Sequence, residues 1–238
     1  MKRFWEIDFL RGIAIILMII FNWSYTLKYF NLYTIQSGWT YWYLFPRFIG
    51  GMFIFLVGLS LILSYNRVKH KSIKEIYLKY LKRGLKIFGL GLGITFITWI
   101  LFPSTFIIFG ILHLIGFSII LAIPFLNFKK LNLILGLLLI GSGIYLQNTI
   151  KIPLLLWLIP QSFPTFDYFP ILPWFGIVLI GLFAGNTLYR KNKRTFNIND
   201  YSETSIIKHI SYLGKYSLIL YLIHQPILVA LLFILGFL

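Results

Sequence analysis

Few residues in this chain are able to do chemistry, and most of them stand inside apolar runs. Asp8 and Arg11 are three apart, so one helical face carries both and lets them pair. Asn22 follows about fourteen residues after Asp8, or roughly 20 Å along a helix. His113 lies in Gly110-Ile111-Leu112-His113-Leu114-Ile115-Gly116, and His224 in Tyr221-Leu222-Ile223-His224-Gln225-Pro226. Asp167 and Arg47 complete the set. A histidine at membrane depth is a candidate general base, and an asparagine at that depth is costly enough to face a protein interior or a wet cavity. The structural alternatives are equally concrete: an interfacial ion pair for Asp8 and Arg11, neutral interhelical hydrogen bonds for the histidines, a helix-end carboxylate for Asp167. His70 and His209 sit among loop lysines. No H-E-x-x-H or comparable spacing occurs, so no metal site is expected. With no cysteine in the chain, thiolate nucleophiles and disulfides are excluded.

The elements that position these groups are transmembrane helices. The 238 residues are 59% hydrophobic and only 12% charged, which is outside the range of water-soluble domains. An all-α, polytopic membrane bundle is expected, a single domain over 1–238, with about seven spans at 7–27, 48–65, 87–102, 105–128, 131–147, 170–189 and 216–238. The apolar piece 152–160, between Pro153 and Pro160, is too short to cross and reads as interfacial or re-entrant.

Alternation places Lys2, Arg3, the basic stretch 66–86, Lys129, Lys130 and the polar stretch 190–215 on one side, and Lys28, Arg47 and Lys151 on the other. The richer side is cytoplasmic by the positive-inside rule, which puts the N-terminus inside and the C-terminus outside a cell membrane. Loop placement also explains the net charge of +16 without nucleic acid. Met1-Lys2-Arg3 resembles a signal-peptide start, but Glu6, Asp8 and Arg11 interrupt the apolar run after it, so the first helix is expected to stay. Within 72–86, Ile73, Ile76, Tyr77, Tyr80, Leu81 and Leu85 recur at helical spacing among lysines, as in a helix lying on an anionic leaflet or a solvated loop entering the third span. Trp39, Tyr41, Trp42 and Tyr43 form an outer aromatic belt. The stretch 192–205 is the one expected to be flexible. Glycines clustered in the spans, such as Gly89, Gly91 and Gly93, are expected to admit close helix packing and to offer faces for self-association.

By depth, Asn22 and His113 are expected to share an outward-facing cavity, while His224 and Gln225 join Asp8 and Arg11 near the inner face.

Trp5-Glu6-Ile7-Asp8-Phe9-Leu10-Arg11-Gly12-Ile13-Ala14-Ile15-Ile16-Leu17-Met18 resembles the opening helix of the heparan-alpha-glucosaminide N-acetyltransferase catalytic-domain family. Phe53-Ile54-Phe55-Leu56-Val57-Gly58, Lys82-Arg83-Gly84-Leu85-Lys86, the His113 and His224 segments, and Asp167-Tyr168-Phe169-Pro170 through Gly176 look like its small prokaryotic branch. The first and last blocks are also similar to the wider transmembrane acyltransferase superfamily. The resemblance implies transfer of an acetyl group from cytoplasmic acetyl-CoA, as co-substrate rather than bound cofactor, to a sugar or other acceptor across the membrane. It also implies an asparagine at the Asn22 position working with a histidine shortly after it. Here no histidine stands between Asn22 and Arg47. His113 is then expected as the base, Asn22 as oxyanion donor, His224 as a further catalytic residue, Arg11 as a phosphate ligand, and Asp8, Asp167, Gln225 and Arg47 as binding residues. A transporter or lipid-binding protein without catalysis, or an inactive family member, is the alternative.

Overall fold

The computed structural model describes residues 4–33, 36, 38–147, 149, 152–190 and 193–237. The charges on Lys2, Arg3, Lys151 and Lys191, and the positions of Asn192 and Leu238, lie outside the described residues. Among the described residues, eight α-helices follow one another: α1 (Trp5–Tyr29), α2 (Phe45–Asn66), α3 (Ile73–Leu101), α4 (Ile111–Leu121), α5 (Lys130–Leu146), α6 (Ile171–Leu188), α7 (Ser205–Lys215) and α8 (Ser217–Ile234). A short π-helical stretch, Thr40–Leu44, leads into α2. The chain divides into two compact units, Met1–Phe53 with Ile198–Leu238, and Ile54–Asn197, so the boundary falls within α2.

In the first unit, Ile15, Met18 and Ile49 form a buried cluster on which Phe21, Phe45, Leu220 and Tyr221 pack. α7 lies antiparallel along the start of α1: Gly12 meets the Ile210 carbonyl and Gly214 the Asp8 carbonyl, and a methyl group at either glycine would overlap that oxygen. α8 then runs parallel to α1, with Leu220 and Tyr221 on the Met18 cluster and Gln225 bonded to Thr26. The stretch 205–215, expected as part of a polar loop, is thus largely a helix. Its Ile207, Ile210, Ser211 and Gly214, which with Leu213 are the less exposed positions, recur at i, i+3, i+4 and i+7.

In the second unit, α3 is one continuous helix of 29 residues, so the basic stretch runs into the third span. Ser72 caps it, accepting from the Glu75 N–H at 3.3 Å. α3 and α4 are antiparallel through Gly84 against Gly116 and Gly91 against His113. α5 and α6 are antiparallel through Gly136 against Gly176 and Gly143 against Pro173. Gly58, Gly181 and Gly185 join α6 to the later half of α2 in parallel. Gly89, Gly93 and Gly141, expected to pack like their neighbours, have no atom of another described element within 4 Å of where a Cβ would stand. The strands β1 (Tyr189–Arg190) and β2 (Lys193–Arg194) pair antiparallel at the start of the stretch expected to be flexible.

Among the described residues, five segments are long and apolar enough to cross a membrane: Trp5–Tyr29, Thr40–Asn66, Ile73–Leu101, Ile171–Leu188 and Ser217–Ile234. α4 and α5 are shorter, with 11 and 17 residues. The fourth expected span, 105–128, contracts to α4 because both its ends are tied elsewhere. Thr105 and Phe109 carbonyls accept from the N–H groups of Phe166 and Phe169, and a 3-10 turn at Ile123–Phe125 closes the other end around Pro124. The piece 152–160 begins with a 3-10 turn, Pro153–Leu155, and its Trp157 and Leu158 carbonyls accept from Ile171 and Leu172 at the start of α6.

Candidate functional site

Towards its end α1 carries Asn22, Ser24 and Thr26, and each donates to a carbonyl of its own helix. Asn22 Nδ2 donates to the Met18 carbonyl at 2.9 Å, and Thr26 Oγ1 donates to the Asn22 carbonyl at 2.7 Å. Gln225 of α8 completes the chain by donating from Nε2 to Thr26 Oγ1 at 3.0 Å. Its Oε1 is buried and has no partner among the described residues. A second relay lies alongside: the Tyr41 hydroxyl donates to Ser24 Oγ at 2.7 Å, and Ser24 donates to the Ile20 carbonyl.

The neighbour of Gln225 on α8 is His224, half-buried. Its Nδ1 lies 2.6 Å from the Tyr221 carbonyl. A carbonyl only accepts, so Nδ1 carries the hydrogen and Nε2 keeps its lone pair. A backbone-oriented imidazole whose Nε2 has no hydrogen-bond partner among the described residues has the form of a general base.

This level of α8 differs from the expected one. Grouping His224 and Gln225 with Asp8 and Arg11 near the inner face assumes that α8 and α1 enter the membrane together. Because α7 occupies the first turns of α1, α8 begins further along it, and Gln225 meets Thr26 instead. Asp8 and Arg11 form their own pair, Nη1 to Oδ1 at 3.0 Å, beside Gly214 of α7. The Arg47 guanidinium lies 3.4 Å over the Tyr43 ring and donates to the Tyr43 carbonyl. Trp39 stacks on the same tyrosine with centroids 4.8 Å apart, and Lys28 sits 4.3 Å over Trp42. All of these residues belong to the first unit.

His113 and Asp167 belong to the second unit, where they build the N-terminus of α4. Gly110 is the cap residue, and its N–H donates to His113 Nδ1 at 3.2 Å. His113 is the third residue of the helix, so this is the reach-back half of a capping box. The next N–H, of Ile111, donates to Asp167 Oδ2 at 2.9 Å. A Cβ at 110 would overlap that carboxylate oxygen, so any larger residue there has to displace Asp167 from the Ile111 N–H. Thr95 Oγ1 donates to the Ile107 carbonyl at 2.6 Å and therefore accepts from His113 Nε2 at 3.2 Å. Both ring nitrogens are engaged, and the ring is 2% exposed between Phe88, Phe109 and Gly91. The carboxylate of Asp167 sits at a helix N-terminus, though at that of α4 rather than of α6. Beside it, the Tyr168 hydroxyl accepts from the Gln161 N–H and lies near the Leu156 and Ile159 carbonyls, and burial pushes its phenol above the ordinary range.

Thr26 and Ser24 are site residues that the sequence reading does not single out. Their signal is present in the spacing Asn22, Ser24, Thr26 along one apolar helix, the alternation of a span that holds two polar faces.

Comparison with known proteins adds one finding. The family model described as heparan-alpha-glucosaminide N-acetyltransferase, catalytic, matches residues 3–226. No curated protein and no solved structure gives a match. The match spans both units, α1 with its Asn22 and α8 as far as Pro226, and on that ground the chain belongs to the heparan-alpha-glucosaminide N-acetyltransferase catalytic family.

Proposed function

We propose that this protein is a multi-pass membrane acyltransferase, taking an acetyl or longer acyl group from acyl-CoA at the cytoplasmic face to an acceptor hydroxyl or amine at the outer face of the cell membrane. Membership of the family supports acetyl transfer as the chemistry. The observation that carries the assignment of residues is the relay from Gln225 through Thr26 to the Asn22 carbonyl, which holds the His224 turn of α8 against the Asn22 turn of α1.

In this reading His224 Nε2 takes the proton from the acceptor as its oxygen or nitrogen forms a bond to the thioester carbonyl carbon. An Asn22 amide N–H not engaged with Met18 steadies the oxyanion. Collapse of the tetrahedral intermediate breaks the carbon–sulfur bond, and the leaving thiolate of CoA recovers the proton from His224. Arg11 meets a coenzyme phosphate, and the basic loops raise the local concentration of the anionic donor. His113 and Asp167 act by fixing the start of α4. Arg47, with Tyr43 and Trp39, borders the acceptor side.

Calorimetry of acetyl-CoA with the detergent-purified protein at fixed moderate salt tests the donor. Saturable binding tighter than that of ATP, weakened by Arg11→Ala and retained in His224→Ala, is the expected result. Thiol release in the presence of a glucosamine-terminated acceptor then tests transfer. Binding of acetyl-CoA no tighter than ATP would overturn the reading in favour of a transporter, a lipid-binding protein or an inactive family member.

A further inference from the structure

α3 is too long for the bilayer it enters. Its 29 residues span about 43 Å against about 30 Å of hydrocarbon. Residues 87–101 carry no charge, whereas 74–86 carry all the charged residues of the helix, so the surplus length falls in the head-group layer. There the cations are ordered. Lys79, Lys82, Arg83 and Lys86 recur at i, i+3, i+4 and i+7 and share one exposed face. Arg67 and Lys71, from the turn before α3, approach closely enough to act on Lys79 electrostatically, as does Arg83. Lys79 is held in place by donating to Ser64 at 3.1 Å. Glu75 is the carboxylate paired within this group, with Lys71 at 3.5 Å. Among the described residues, no ion pair engages Lys79, Lys82, Arg83 or Lys86. The flank of the same helix is apolar and exposed, through Tyr77, Leu78 and Leu85. A basic stripe beside an apolar stripe fits a ligand with both characters.

We propose that this face of α3 is a binding site for an anionic phospholipid, its phosphate on the Lys79–Lys86 stripe with Arg67, and its acyl chains along Tyr77, Leu78 and Leu85. Juxtamembrane clusters of this size are sufficient for head-group recognition. The apolar flank is the reason to place a lipid here rather than a soluble phosphate ester, which would use the cations alone.

Native mass spectrometry of the full chain in detergent, with phosphatidylglycerol, cardiolipin and phosphatidylcholine at equal concentration, tests this. Expected is retention of the anionic lipids over phosphatidylcholine by on the order of tenfold, abolished in Lys79→Gln/Lys82→Gln/Arg83→Gln/Lys86→Gln. Removing two charges elsewhere, in Lys193→Gln/Arg194→Gln, is expected to leave retention unchanged, and Lys82→Gln/Lys86→Gln supplies the milder counterpart should the quadruple variant fail to fold. Equal loss in the stripe pair and the Lys193/Arg194 pair would overturn the site in favour of net charge. Displacement of the lipid by 3′,5′-ADP, with binding of that nucleotide lost in the stripe variants, would overturn it in favour of a soluble phosphate ligand. The readout is independent of acyl transfer, so the result does not depend on the proposed reaction.

Discussion

A histidine serves as a base only through a nitrogen whose lone pair is not already accepting a hydrogen bond. In His113 that nitrogen is Nδ1, and it is occupied by the Gly110 N–H, while Nε2 faces Thr95. In His224 the hydrogen faces the Tyr221 carbonyl, and Nε2 is the acceptor. Two substitutions separate these roles. His224→Ala is expected to lower the rate of acyl transfer by about 10²–10⁴ while acetyl-CoA binding persists, as for loss of a placed general base. His113→Ala is expected to destabilise the protein by about 1 kcal/mol for the lost cap, plus the cavity left beside Phe88 and Phe109, with transfer per folded molecule kept within a few-fold. Thermal unfolding in detergent read beside single-turnover transfer decides it; a His113→Ala protein that is stable but inactive would reverse the assignment. Thr26→Val retains the volume of the side chain and removes the hydroxyl on which Gln225 rests. It is expected to leave the Gln225 Nε2 donor without its Thr26 acceptor, cost about 1–3 kcal/mol, and slow transfer more than it weakens donor binding.

At the scale of elements, the contact between α7 and α1 depends on two glycines that let backbone touch backbone. Gly214→Ala forces its methyl against the Asp8 carbonyl oxygen, and neither helix has a side-chain end that can yield. The expected cost is about 1–3 kcal/mol, together with loosening of the Asp8–Arg11 turn. Gly141→Ala, where space is open, is expected to be neutral or stabilising by up to about 1 kcal/mol, since glycine is a poor helix former. Equal melting temperatures for the two variants would refute the close packing. The same elements explain what is legible in the sequence. Long apolar runs with few charges locate α1, α2, α5, α6 and α8 directly, because burial in lipid demands them. The start of α4 is hidden, since Asp167 sets it from 56 positions away and the intervening residues are apolar either way. α7 reads as loop because Lys208, His209 and Lys215 dilute its apolar content, although the 207, 210, 211, 214 period is there to find. Among the site residues, Asn22 and His224 stand out as polar groups in apolar runs, but their level depends on α7, and so their grouping with Thr26 and Gln225 does not follow from depth alone.

For the whole molecule, the number of bilayer crossings turns on α4 and α5, and the pairing of helices within each unit sets the sense in which each helix runs. α1 and α8 run parallel, as do the later half of α2 and α6, while α3 with α4 and α5 with α6 run antiparallel. A chain that crosses seven times in strict alternation requires each of these senses. One that crosses five times, with α4 and α5 returning to the side they came from, keeps the same parity, so the positions of the termini do not distinguish the two. The link between α4 and α5 does: it holds Lys129 and Lys130, and the positive-inside rule draws such a pair to the cytoplasm. α5 measures about 26 Å, and α4 with its 3-10 extension about 22 Å, lengths that cross a bilayer of about 30 Å where it thins or where flanking chain is held by protein. The absence of cysteine makes the test simple, because a single introduced thiol is the only one to react. With a membrane-impermeant maleimide on intact cells, Ser104→Cys and Ser162→Cys are expected to label from outside, and Lys69→Cys only after lysis. Lys129→Cys is the deciding site: labelling only after lysis means α4 and α5 both cross and the count is seven, whereas labelling on intact cells means five, with α4 and α5 held on the outer side and His113 outside the reach of a cytoplasmic donor.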